Sequence, residues 1–152
     1  KMGYAVRFNE NQVRNMGRAA TGVRGVNLRA DDHVVGASVI SNDQEVLVIT
    51  EKGYGKRTLA SEYATKGRGG KGMKTANITE KNGPLAGLMA VNGDEDLMII
   101  TNTGVIIRTN VANISQTGRA TLGVKVMRLD KGAQIVTFTS VAAENEKEVD
   151  EE

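Results

Sequence analysis

Apolar and polar residues alternate along this chain in short stretches, a pattern typical of β-strands that have one face in the core and one in solvent. Two apolar runs, residues 46–50 and 97–101, each precede a short turn of polar residues and glycine, which predicts a β-hairpin. No segment holds a helical period, so we expect an all-β chain. The remaining strands are predicted at residues 23–28, 34–40, 73–78, 85–91, 124–129 and 134–141.

The chain also repeats itself with a period of about 50 residues. The glycines of the predicted hairpin turns, Gly3, Gly53 and Gly104, are 50 and 51 positions apart. A second pattern, G-R-x-x-x-G-x-[KR], recurs at the same offsets, which indicates that three copies of one structural unit follow each other. Its copies begin at Gly17, Gly67 and Gly118.

Four strands in a repeat of this length predict the blades of a propeller-like fold. We expect three blades, at residues 1–43, 44–94 and 95–141, and then an acidic, disordered tail at residues 142–152. The first copy lacks the apolar run that opens the other two, so we expect the chain to be a fragment cut within a blade. Because propellers have about four to eight blades, three blades predict part of a larger ring or spiral. A β-sandwich is the alternative for the same set of strands.

The charge is distributed unevenly between the body and the tail. Residues 142–152 hold six acidic residues and one lysine, whereas residues 1–141 hold 19 basic and 12 acidic residues. A basic body predicts a polyanionic partner, and we expect the tail to compete with that partner for the basic surface. The chain has no cysteine and no apolar run long enough to span a bilayer, so a disulfide framework, a thiolate metal site and a membrane partner are not expected.

The three G-R-x-x-x-G-x-[KR] loops are the strongest candidates for phosphate contacts. Each loop places two cations beside glycines, where arginine forks, lysine ammonium groups and backbone amides can all approach a phosphate. The alternative is a solvated turn, which three copies in register make less attractive. The middle copy is the richest, because Lys66 and Lys71 add to its charge. The repeated cations are Arg18, Arg24, Arg68, Lys74, Arg119 and Lys125.

A second basic cluster surrounds the hairpin turn at Gly53. Lys52, Lys56 and Arg57 lie there, and Arg7 and Arg108 occupy the matching positions in the other copies. These side chains are predicted either to contact phosphates or to protect a sheet edge from association with another sheet.

Other chemistry finds little support. Residues 67–72 spell G-x-G-x-x-G, but a strand-like pattern follows instead of the helix of a dinucleotide site, and Gly72 replaces the Ser or Thr of an ATPase loop. His33 is the single histidine, and the chain has no cysteine that it could activate as a catalytic nucleophile. We interpret the acidic turn at residues 93–96 as a solvated turn rather than a cation-binding site. Aromatic residues make up 3% of the chain, which favours duplex DNA over a single strand whose bases would need stacking partners.

With these residues in view, the chain resembles the C-terminal domain of bacterial gyrase A proteins over nearly its whole length. The resemblance is carried by Met16-Gly17-Arg18, by the Gly-Tyr-Gly-Lys-Arg-Thr hairpin at 53–58 with Glu62-Tyr63, and by Ile114-Ser115 with Gly118-Arg119. It implies the last three blades of a six-bladed β-pinwheel that binds and wraps duplex DNA. It also implies that residues 66–72 are a degenerate form of the family's wrapping box, Q-R-R-G-G-K-G.

The same resemblance implies that this chain catalyses nothing itself. The whole enzyme would be an ATP-dependent type IIA topoisomerase, an A2B2 tetramer in the bacterial cytoplasm at the nucleoid, with ATP and Mg bound elsewhere and no cofactor in this chain. The C-terminal domain of topoisomerase IV is the related alternative, and a protein-binding propeller is the alternative from another class. Alone, the chain is expected to be a monomer or an edge-associated dimer. The predicted DNA-contacting residues are Arg7, Arg18, Arg24, Lys52, Lys56, Arg57, Lys66, Arg68, Lys71, Lys74, Arg108, Arg119 and Lys125.

Overall fold

The protein consists of antiparallel β-strands that form separate sheets, one after another along the chain. The structure is a computed structural model and describes residues 1–143. The predicted tail therefore falls, for residues 144–152, outside the described residues. The described residues form nine strands: β1 (Tyr4–Ala5), β2 (Glu45–Thr50), β3 (Tyr54–Leu59), β4 (Met73–Lys74), β5 (Leu85–Val91), β6 (Asp96–Thr101), β7 (Ile106–Asn110), β8 (Val124–Lys125) and β9 (Ile135–Val141).

The second repeat carries the fullest sheet, with the strand order β5-β2-β3-β8. Its central strand β2 is buried at every residue, as a continuous apolar run with β-branched side chains predicts. The third repeat forms a three-stranded sheet in the order β7-β6-β9. In both repeats the central strand pairs on one side with the hairpin strand and on the other with the last strand of the repeat.

The sheets exchange strands between repeats. Strand β8 comes from the third repeat but pairs with β3 of the second, and β4 comes from the second repeat but pairs with β1 of the first. The fourth strand of a sheet is thus supplied by the next copy of the repeat rather than by the same copy. Each repeat is therefore joined to its neighbour by backbone hydrogen bonds as well as by side-chain packing.

Several predicted strands are shorter than expected or are not formed. Residues 23–28 and 34–40 form no strand, and residues 73–78 and 124–129 contribute only two paired residues each. In the later repeats the corresponding strands pair with a hairpin of the preceding repeat or with a central strand. Within residues 1–143 the first repeat has neither of these partners, and a strand without a ladder partner is not formed.

Two apolar clusters hold consecutive repeats together. One joins the second and third repeats around Leu47, Ile49, Leu97 and Ile99, all fully buried. The other joins the first and second repeats around Val46, Val48, Tyr63, Ala76 and Leu85. Both clusters include residues of β2, so this strand lies between the two interfaces.

A short 3-10 turn follows the hairpin strand in each repeat, at Glu10–Gln12, Ala60–Glu62 and Val111–Asn113. Asn9 and Asn110 cap two of these turns, because their side chains accept hydrogen bonds from backbone amides. The all-β, propeller-like fold is confirmed. In the part of the chain that the structure describes, no helix has the length and apolar character to cross a membrane.

Candidate nucleic-acid interface

One cation occupies the same position in each repeat, beside or on a strand at the edge of a sheet. Lys74 lies on β4 opposite Tyr4, and Lys125 lies on β8 opposite Tyr54. Arg24 is the copy of this position in the first repeat, and all three side chains are exposed. We call Arg24, Lys74 and Lys125 the edge cations. Because the edge cations are exposed, phosphates could reach them.

The arginines of the G-R pair lie differently. Arg68 donates from Nη1 to the carbonyl oxygen of Arg24 at 2.6 Å and from Nε to that of Gln12 at 3.1 Å. Arg119 makes the matching contact in the next repeat, from Nη1 to the carbonyl oxygen of Lys74 at 2.8 Å. Both arginines are half-buried, whereas Arg18, the first copy, is exposed and makes no side-chain hydrogen bond within residues 1–143.

The hairpin arginines bond to the 3-10 turn of the following repeat. Arg7 donates to the carbonyl oxygens of Ala60 and Tyr63, at 2.7 and 3.2 Å. Arg57 donates to that of Ile114 at 2.7 Å and pairs with the carboxylate of Glu45 at 2.6 Å. Tyr63 and Ile114 are equivalent positions of consecutive repeats, 51 residues apart. Arg7 and Arg57 therefore make the same type of contact at two successive junctions between repeats.

Arg108 occupies the same repeat position in the last blade. It pairs with Asp96 at 2.8 Å and donates to the carbonyl oxygen of Ala142 at 3.1 Å. Its guanidinium therefore lies against the end of the described chain, although the residue as a whole is exposed.

Lys56 is the most deeply buried of the predicted contacts, with 1% of its surface exposed. Its ammonium group donates to the carbonyl oxygens of Gly118 and Arg119 and to Thr121 Oγ1, at 2.8, 2.5 and 3.2 Å. The pKa of this ammonium group is lowered to about 8, mainly by burial, while the Glu62 carboxylate raises it and the Arg119 guanidinium lowers it. These contacts hold the third G-R loop from inside the sheet, so Lys56 is not part of the exposed surface.

The middle G-R loop is more open than the third. Lys66 and Lys71 are exposed and make no side-chain hydrogen bond within the described residues. A cleft of about 170 Å³ lies between this loop and the segment that follows β1, with Lys66, Lys71 and Arg7 among its lining residues. The residue of the first repeat that is equivalent to Lys56 is Val6. Within the described residues, the middle loop therefore has no buried lysine bonded to it as the third loop has.

Lys52 stands at the hairpin turn before β3. It is exposed, and its ammonium group donates to the carbonyl oxygen of Glu80. The aliphatic part of the Lys52 side chain packs against Gly83, which lies close to Glu80 in the turn before β5. The structure thus brings Lys66, Lys71 and the edge cations to exposed positions near the repeat junctions. It commits the polar ends of five other cations to hydrogen bonds with other segments of the chain, namely Arg7, Lys56, Arg57, Arg68 and Arg119.

Two further cations were missed from the sequence because they do not recur at the repeat offset. The Arg29 guanidinium lies 3.4 Å from the centre of the Tyr4 ring. The Lys81 ammonium lies 5.9 Å from the centre of the Tyr54 ring, which the edge cation Lys125 also approaches, to 5.7 Å. Such distances allow cation–π attraction. The sequence feature that could have pointed to these cations is the recurring tyrosine, because Tyr4 and Tyr54 occupy the same repeat position in their hairpins.

The glycine-rich stretch at 67–72 and the acidic turn at 93–96 are part of the strand and turn structure of the second repeat and its end. The glycine-rich stretch at 67–72 leads into β4 and not into a helix. The acidic turn at 93–96 uses the Glu95 carboxylate to accept backbone hydrogen bonds from Asn92 and Gly93. Among residues 1–143, no group of histidine and acidic side chains is placed to hold a metal ion.

Comparison with known proteins agrees with this architecture. A family model described as DNA gyrase C-terminal domain, beta-propeller, matches residues 3–41, 44–92 and 95–142. The chain is 51% identical to the DNA gyrase A protein of Staphylococcus epidermidis (strain ATCC 12228) over 143 residues, which cover 93% of this chain and 16% of that protein. It is 50% identical to the DNA gyrase A protein of Staphylococcus aureus (strain NCTC 8325) over 149 residues, 97% of this chain and 17% of that protein.

Two solved structures have the same fold. A DNA gyrase A C-terminal domain superposes with a TM-score of 0.86 at 28% identity, covering 92% of this chain and 48% of that domain. The C-terminal domain of a DNA topoisomerase IV superposes with a TM-score of 0.87 at 25% identity, covering 95% of this chain and 45% of that domain. The chain therefore spans about one sixth of the length of the gyrase A proteins and about half of the solved domains.

Proposed function

Since the chain belongs to the family of DNA gyrase C-terminal domains, we propose that it binds duplex DNA through its edge cations and catalyses no reaction itself. The observation that carries this proposal is the recurrence of one exposed cation at the same place in three consecutive repeats. Backbone pairing fixes two of these cations on β4 and β8. A row of cations on a rigid frame suits the phosphate backbone, which presents charge at regular intervals whatever the base sequence.

We include Arg18, Lys66 and Lys71 in the same surface. All three are exposed and uncommitted within residues 1–143, and all belong to the G-R loops that adjoin the edge cations. The open cleft beside Lys66 and Lys71 gives the middle loop room to admit a phosphate, which supports a role for residues 66–72 as a degenerate wrapping box.

Duplex DNA is a better ligand for this surface than a single strand. Single-strand binding relies on exposed aromatic faces on which bases stack. Here Tyr63 is buried, the Tyr4 ring is covered by Arg29, and the Phe138 ring lies against Gly87 of the neighbouring sheet. The described residues thus offer cations for phosphates but few aromatic faces for bases.

The finer part of the proposal concerns the whole enzyme. Cations on successive blades would follow a curved path, and DNA that follows them would bend, which is the start of wrapping. In a gyrase A2B2 tetramer such wrapping would support ATP-dependent negative supercoiling at the nucleoid, with ATP and Mg bound in other domains. The topoisomerase IV domain superposes equally well, but the 50% identity to gyrase A proteins favours gyrase.

The proposal is tested with labelled duplexes of about 40 base pairs, two of unrelated sequence, and with a single strand of the same length. Binding followed by fluorescence anisotropy over a salt series is expected to be equal for the two duplexes, weaker for the single strand, and steeply reduced by salt. The single strand is the control, because it carries phosphate charge but lacks the geometry of a duplex.

Preference for the single strand, or a strong preference for one duplex sequence, would contradict phosphate-backbone recognition. Absence of salt-dependent binding would instead favour a protein-binding propeller, whose mainly apolar interface would respond less to salt.

A further inference from the structure

Arg68 and Arg119 each bond to the main chain of an edge cation in the preceding repeat. The acceptors are the carbonyl oxygens of Arg24, at 2.6 Å, and Lys74, at 2.8 Å. The two contacts use the same atom, Nη1, and are related by the repeat offset. A contact that recurs at two junctions is a property of the repeat and not of one local environment.

A second hydrogen bond runs in the opposite direction at each junction. The amide of Asn27 donates to the carbonyl oxygen of Gly70 at 2.9 Å, and the amide of Asn77 donates to that of Thr121 at 3.0 Å. Each bond starts three residues after the edge cation, so the loop holds the segment at two points. The carbonyls of Arg24 and Lys74 thus accept hydrogen bonds from the loop, while their side chains are exposed.

We propose that Arg68 and Arg119 are positioning residues that fix the edge cations Arg24 and Lys74 of the preceding repeat for contact with DNA. The loop of one repeat thereby sets the DNA-facing side chain of the repeat before it. This inference rests on the proposed function, and it assigns these two arginines a role other than the direct phosphate contact expected from the sequence.

The partial burial of the two arginines supports this assignment. Arg68 and Arg119 are half-buried, whereas the edge cations are exposed. Arg119 Nε is buried and has no hydrogen-bond partner within the described residues, so this edge of the guanidinium faces protein and not solvent. Arg18 holds the same motif position, is exposed and clamps nothing in residues 1–143, which makes it the natural comparison for a directly contacting arginine.

A double-mutant cycle tests the proposal. Lys74→Ala removes the cation but leaves the carbonyl that Arg119 holds, whereas Arg119→Ala removes the clamp and leaves the cation. One phosphate contact is worth about eightfold in duplex affinity at 0.1 M salt. We expect each single variant to lose about this much and the double variant to lose no more, because Arg119 acts through Lys74. Two independent contacts would give a loss of about sixtyfold.

Two further comparisons separate positioning from simple charge or folding. Arg119→Lys keeps the charge and is expected to bind as weakly as Arg119→Ala, with faster hydrogen exchange at the Asn77 amide. Arg18→Ala, combined with Lys74→Ala, is expected to be additive. If Arg119→Ala does not fold, the cycle is repeated with Arg68 and Arg24 at the other junction.

An additive double variant, or full affinity in Arg119→Lys, would overturn the inference while leaving duplex binding by the parent intact. If the parent shows no salt-dependent duplex binding at all, the proposed function fails and the inference fails with it. The two failures are thus distinguished by the parent protein alone.

Discussion

At the scale of single residues, the cations of this chain divide by what their polar ends touch. Arg57 and Lys56 are adjacent on β3, yet one reaches a 3-10 turn and the other lies under the third G-R loop. The charge of a residue in the sequence does not show whether its side chain bonds to another segment of the chain or is exposed at a sheet edge. For Lys56 a signal did exist, because the matching positions hold the apolar residues Val6 and Ile107. A cation that replaces an apolar repeat position is a candidate for burial.

We predict that Lys56 makes unfolding depend on pH above neutrality. Its pKa is about 8 in the folded protein and 10.5 in its ordinary state. Because folding lowers this pKa, the folded protein binds the proton less tightly than the unfolded chain, and its stability rises as the pH increases from 8 toward 10.5. Between pH 7.5 and 9.5 the free energy of unfolding should gain about 2 kcal/mol from this group. Urea unfolding at the two pH values measures the gain.

Lys56→Met is the control, since methionine fills similar space without a titrating group. This variant should lose the pH-dependent gain, and it should be less stable at pH 9.5, where Gly118 and Arg119 lose a hydrogen-bond donor worth about 1–3 kcal/mol. Burial raises the pKa of Tyr63, so the comparison is made below pH 10 to keep that tyrosine protonated. Equal pH dependence in the two proteins would contradict the assignment.

At the scale of elements, the strands of the hairpins and the central apolar runs could be predicted from the sequence, but the exchange of strands could not. Hydrophobic alternation reveals that residues 124–129 have a buried side, not which hairpin they join. The structure shows that β8 joins β3 of the previous repeat. The spacing between the hairpin and the G-R loop is equal in every copy, so it contains no information about which neighbour supplies the fourth strand.

We predict that Gly123→Ala weakens this exchange. Gly123 has a φ of +85°, and a Cβ there would lie 2.8 Å from the carbonyl oxygen of Gly55 on β3. The substitution should cost about 1–2 kcal/mol for the left-handed backbone, and more for the contact with Gly55, because close approach of another backbone requires glycine. The free energy of unfolding in urea gives the cost.

Gly22→Ala is the matched control, because Gly22 is the first-repeat copy with a φ of +92° and open space around it. It should carry only the backbone cost and remain the more stable variant by at least about 1 kcal/mol. Equal losses in the two variants would show that close packing of β8 on β3 contributes nothing.

At the scale of the whole molecule, the repeats determine both the architecture and the surface. The period of about 50 residues was sufficient to predict an all-β, propeller-like fold, which the structure and the family match confirm. It also predicted a set of recurring cations. What it could not predict is which cation of each pair faces outward, because that depends on the contacts between repeats. Those contacts leave the edge cations exposed and hold the arginines of the second and third G-R pairs, Arg68 and Arg119, against the preceding repeat.

The most direct test of the central claim, that the exposed edge cations and lysines form the DNA track, is the salt dependence of duplex binding. The parent is compared with the triple variant Lys71→Ala/Lys74→Ala/Lys125→Ala and with Lys131→Ala, which removes an exposed charge from the turn before β9. The account predicts that the triple variant flattens the log–log slope by about 2.7, or about 0.9 per phosphate, and that Lys131→Ala leaves it unchanged. An unchanged slope in the triple variant, or equal flattening in the control, would contradict it.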